Sequence, residues 1–91
     1  MDIDIHYPYG IPFYTKEPVI PVFFINNDQD FFCIYFVKNK QVDKLAGIVF
    51  PNDKKKFHFP EKSLIAIITQ SKPNEVYRYI KLRPNMIYIY P

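Results

Sequence analysis

No apolar run in this chain exceeds about seven residues, and each is stopped by a turn-forming or charged segment. Val19–Ile25 ends at Asn26-Asn27-Asp28-Gln29-Asp30, Phe31–Val37 at Lys38-Asn39-Lys40, and Leu45–Phe50 at Pro51-Asn52-Asp53. Asn and Asp favour such stops because they bond their own backbone and tolerate left-handed φ. The runs are built from β-branched and aromatic residues, which suit a pleated, half-buried surface. Short runs of this chemistry predict strands. The chain is therefore read as a small all-β, sandwich- or barrel-like antiparallel domain of about six or seven strands.

The expected elements follow from the local pattern. Asp2-Ile3-Asp4-Ile5-His6 alternates like a short strand. Residues 1–18 then form an extended arm rich in Pro and Tyr, because proline fixes φ and biases its predecessor toward extended backbone. Residues 19–91 form the single β-rich domain. Val19–Ile25 and Phe31–Val37 read as a hairpin of central strands covered on both faces, with Pro21 near a strand start or at an unpaired position. Residues 39–46 allow one or two helical turns capped by Gly47, or a polar loop leading to a strand over 45–50; the loop is favoured. Lys54-Lys55-Lys56 joins the turn that follows, and Phe57 and Phe59 point inward from a short strand. Residues 63–70 are β-branched and read as a strand; a helix there would make the class α+β.

The clearest two-faced pattern lies at the C-terminus. If the chain reverses at Pro84-Asn85, Leu82 pairs with Ile87 and Ile80 with Ile89 across a hairpin. Alternation then gathers Ile80, Leu82, Ile87 and Ile89 on a core face. The opposite face carries Tyr77, Tyr79, Lys81, Arg83, Met86, Tyr88 and Tyr90. Tyrosine is amphipathic and loses little entropy on docking, so it is enriched at interfaces. Tyr77, Tyr79, Lys81, Arg83, Tyr88 and Tyr90 are the expected binding residues, with Tyr7, Tyr9 and Tyr14 of the arm as a second group. The same face could instead pack beneath the arm or the other sheet. Arg78 falls on the aliphatic side and is placed near a sheet edge.

Charge is uneven along the 91 residues. Residues 1–30 carry five acids against Lys16, a net of −4, and residues 31–91 carry eleven Lys and Arg against four acids, a net of +7. That asymmetry fits an acidic partner, or the acidic segment lying on the basic one. The lone Cys33 cannot staple the chain and reads as a small buried hydrophobe. Without a disulfide framework, signal-peptide pattern or membrane-length apolar stretch, a cytoplasmic location is expected. The composition also favours AT-rich codons and fits a small accessory protein of the kind a virus or mobile element encodes.

No catalytic or cofactor chemistry is legible. His6 and His58 lack partners at metal-ligand spacing. Gly10 and Gly47 cannot build a phosphate-cradling loop. Ser63 and Ser71 lack a neighbouring base. The sequence thus predicts a non-enzymatic protein-interaction module, without cofactor or metal and not membrane-bound. It would bind a protein through the tyrosine face, a sheet edge or the arm, with homo-oligomerisation as one form of binding. The alternative is nucleic-acid binding on the basic, tyrosine-lined surface.

Overall fold

A computed structural model describes residues 5–9 and 18–91, and among them the structure is all-β with no helix. No helix there is long and apolar enough to cross a membrane. Among the described residues there are eight strands: β1 (Ile5–His6), β2 (Val19–Asn26), β3 (Phe32–Lys38), β4 (Gln41–Val49), β5 (Lys54–Pro60), β6 (Leu64–Thr69), β7 (Arg78–Lys81) and β8 (Met86–Tyr90). They form two four-stranded sheets. The first has the order β1-β5-β2-β8 and the second β4-β3-β6-β7. The expected class therefore holds, but β1–β5 and β2–β8 are parallel pairs, which departs from an all-antiparallel domain.

Both expected hairpins are corrected. β2 and β3 fall within one residue of the predicted bounds and are central, but they lie in different sheets. Asn26–Asp30 is a crossover between layers, organised by the Asn26 side chain. β7 and β8 are likewise in different sheets. Between them, Met86 N–H donates to the Arg83 carbonyl at 3.2 Å and Asn85 has φ 62°. Pro84 at the second position and left-handed Asn85 at the third give a type II turn. Such a turn lacks the twist of a two-residue hairpin and splays its flanking strands, so each strand joins its own sheet.

A true hairpin forms where a loop was expected. Asn39 and Lys40 have φ 53° and 63°, the two left-handed residues of a type I′ turn. That turn starts β4 at Gln41 and replaces the polar loop or helical turn. The 63–70 segment is strand β6, as expected. Lys54–Lys56 lie within β5 rather than in the preceding turn. Pro21 sits where β2 has β5 on one side but has not yet met β8, whose register begins at Val22, so its missing N–H breaks no β8 bond.

The core is aromatic. The Phe24 ring centroid lies 5.5 Å from Phe57, 6.2 Å from Phe59, 6.3 Å from Phe32 and 6.1 Å from Tyr88. Tilted and edge-on rings of this kind gain specific attraction beyond area burial. Ile34, Val49, Ile65, Ile67, Ile80 and Leu82 fill the space around them. A bulge in β4 places Ala46 between the pairs Ile34–Gly47 and Tyr35–Leu45. A β-carbon on Gly47 would lie 2.8 Å from the Phe57 ring. The glycine thus gives that ring its space and is not a helix cap.

The outward side chains of β2 and β3 are half-buried, not covered by another layer as the run pattern suggested. They shield one another. Phe23 stands between Lys56 and Ile87, and Ile25 between Lys54 and Ile89.

Candidate functional site

The two flanks of the sandwich differ. On one, the chain after β1 bridges the sheets: Tyr9 N–H donates to the Ala46 carbonyl of β4 at 2.9 Å. On the other, edge strands β7 and β8 border a groove of about 470 Å³ that is open among the described residues. Arg78–Lys81 and Arg83 line one wall, and Met86–Ile89 the other.

Strand alternation reverses the expected role of β8. Tyr88 and Tyr90 are only 8% and 7% exposed, whereas Ile87 and Ile89 are 60% and 52% exposed. The Tyr88 ring packs on Phe24 and Phe32, and the Tyr90 ring lies 5.4 Å from Phe32. Burial, reinforced by Tyr77 and opposed by Arg78, pushes the Tyr88 phenol up to about 12. Burial also raises Tyr90, joined by Asp28, Tyr77 and Asp30 and opposed by a hydrogen bond with Thr69. The predicted tyrosine face is therefore split. β7 follows the expected parity, with Ile80 and Leu82 inside and Tyr79 and Lys81 outside, while β8 is inverted. Tyr77 is exposed, yet its ring meets the Tyr90 edge at 5.2 Å.

The β8 backbone completes the edge. The Tyr90 carbonyl accepts from Asn27 N–H, on the β2 side. In a parallel ladder the bonding residues alternate, so Tyr88 also turns its backbone groups to β2. Ile87 and Ile89 turn theirs to the open flank. The edge therefore offers backbone donors and acceptors beside two exposed isoleucines. These continue the apolar strip of Phe23 and Ile25 on the outer face.

The other edges are blunted in the ways that limit strand pairing. β1 has two residues among those described. β4 is bulged, carries exposed Asp43 and Lys44, and receives Tyr9 at Ala46. β7 begins at Arg78 and ends at Lys81. β8, Met-Ile-Tyr-Ile-Tyr, contains no charge and no proline.

The remaining predicted residues are dispersed. Tyr7 packs edge-on to His58 at 5.6 Å, and Tyr9 is exposed; both belong to the flank opposite the groove. Tyr14 lies outside the described residues. The lysine run is divided: Lys55 Nζ donates to the Ile48 carbonyl at 2.8 Å and lies 3.7 Å from Asp53, while Lys56 sits over Phe23. Cys33 is half-buried on the outer face, not in the core, and burial raises its thiol pKa. Among the described residues no cluster of three His, Cys, Asp or Glu could hold a metal ion.

Sequence reasoning does not single out Ile87, Ile89 and Arg78 as binding candidates. Strand parity alone allows either face of β8 to be buried, and only the non-hairpin turn at Pro84-Asn85 selects between them. Comparison with protein-family models, curated proteins and solved structures found no match.

Proposed function

We propose that this protein is a non-enzymatic interaction module that captures an extended segment of a protein partner by strand addition along β8. The observation that carries this reading is the uncharged β8 edge, with the backbone groups of Ile87 and Ile89 turned outward beside their exposed side chains. Backbone bonds supply affinity in strand addition, and alternate side-chain pockets supply specificity. Burying each isoleucine adds roughly 1.5–3 kcal/mol. The groove then receives the side chains on the partner strand's other face. Tyr79, Lys81 and Arg83, three of the expected binding residues, border it. Tyr88 and Tyr90 act from within, as the floor that holds β8 in place.

The test is selection of random extended peptides on the folded protein, followed by binding to an Ile87→Lys/Ile89→Lys variant. Both positions are exposed, so the variant should fold. Selected peptides that bind the parent and lose at least about tenfold on the variant support the reading. Equal binding to both proteins contradicts it.

A further inference from the structure

The charges around the groove narrow the partner's chemistry. Among the described residues, three cations line it, Arg78, Lys81 and Arg83, and no carboxylate does. None of the three makes an ion pair among the described residues. Arg78 lines the same groove wall as Lys81 and Arg83, across from Met86–Ile89. Asp28 and Asp30 act on Tyr90, at the far end of β8. The groove wall built from β7 and Arg83 is therefore cationic.

A strand added to β8 has two faces. Its outward side chains continue the row that runs from Phe23 to Ile87 and from Ile25 to Ile89, which is apolar. Its inward side chains enter the groove. Side chains alternate between faces with period two. We infer that the partner segment is an extended strand alternating apolar and acidic residues, with its apolar side chains beside Ile87 and Ile89 and its carboxylates in the groove that Arg78, Lys81 and Arg83 line.

This inference rests on strand addition at β8 and adds the chemical class of the strand. A second copy of β8 does not meet it: Met-Ile-Tyr-Ile-Tyr brings no carboxylate, and self-pairing sets the cations of two copies against each other. Arginine favours bidentate bonds to carboxylates, so two of the three cations suit acidic side chains especially well.

The test is an NMR titration of the labelled protein with acetyl-(Val-Glu)4-amide, acetyl-(Val-Thr)4-amide, acetyl-(Val-Lys)4-amide and an oligo-dT single strand, at low salt. The inference predicts shifts centred on Ile87 and Ile89. The glutamate peptide should bind at least about tenfold more tightly than the threonine peptide and the lysine peptide weakest. An Arg78→Glu/Arg83→Glu variant should reverse the order of the charged peptides. An Arg78→Gln/Arg83→Gln variant should abolish the preference without reversing it, and dispersed spectra establish that both variants fold. If all three peptides bind β8 equally, strand addition stands and the acidic class is overturned. If no peptide shifts Ile87 or Ile89, both fall. If oligo-dT binds on these residues more tightly than the glutamate peptide, the groove is a nucleic-acid site and the inference is overturned.

Discussion

The side-chain amide of Asn26 donates to the backbone carbonyl of Val49 at 3.0 Å, tying the last residue of β2 to the last residue of β4 across the two sheets. The same amide donates to the Asp30 carbonyl at 2.8 Å, and its Oδ1 accepts from Asp28 N–H at 2.9 Å. Asn26 N–H donates to the Asp53 carbonyl, and its own carbonyl accepts from Asn52 N–H. One fully buried polar residue thus holds two crossovers at one corner, and every group it brings is bonded. Buried polar groups are tolerated when satisfied in this way.

Removing that side chain leaves two carbonyls and one N–H without their partner. Asn26→Ala should therefore destabilise the fold by about 2–4 kcal/mol. Urea denaturation of the variant beside the parent measures it. A loss under about 0.5 kcal/mol, the range of ordinary surface changes, would show that the corner is not held by Asn26.

Gly47 is constrained by its neighbour. A methyl group at this position would sit 2.8 Å from the Phe57 ring, so Gly47→Ala should force that ring aside. Overpacking of this kind costs about 1–3 kcal/mol. Phe57→Leu should lower the additional cost of the alanine, giving a non-additive double-mutant cycle. Additive losses would contradict direct contact.

Tyr88 makes stability depend on alkaline pH. Its phenol has a native pKa of about 12, against an ordinary value near 10. Between these values the native state keeps a proton that the unfolded state has lost, so stability falls as pH rises. The loss is about 2 kcal/mol from pH 10 to 12 and is absent below pH 9. Denaturation across this range, beside Tyr88→Phe, measures it. The variant should lose most of the slope; an unchanged slope would contradict the burial of this phenol.

Charged residues at the edge should leave the fold intact. Ile87→Lys and Ile89→Lys each replace an exposed side chain, so stability should change by no more than about 0.5 kcal/mol. A loss of about 2 kcal/mol or more, the size that large-to-small substitutions produce in a core, would return these residues to the core and Tyr88 to the surface. The same denaturation measurement distinguishes the two arrangements.

The strands themselves were legible in the sequence. β2, β3 and β6 follow from β-branched and aromatic runs between Asn, Asp and Pro, and Phe57 and Phe59 point inward as alternation predicts. Pairing was less legible because adjacent strands in the chain need not share a sheet. Asn26–Asp30 resembles a hairpin loop until its side chain is seen bonding across layers. Asn39-Lys40 makes a type I′ turn without the usual glycine, so its sequence resembles a polar loop. For the site, the alternation of β7 matches the structure and that of β8 is inverted. Tyr88 and Tyr90 suit an exposed face in isolation, but Phe24 and Phe32 offer them aromatic partners inside.

Site-resolved amide hydrogen exchange tests the β8 edge most directly. In the protein alone, at low concentration, the Ile87 and Ile89 amides should exchange rapidly, while those of Tyr88 and Tyr90, bonded toward β2, exchange slowly. Saturation with a peptide selected on the folded protein should slow Ile87 and Ile89 by at least about tenfold, since each amide then bonds the added strand. Amides of Ile87 and Ile89 that are already slow in the protein alone, or unchanged in the complex, would contradict strand addition along β8.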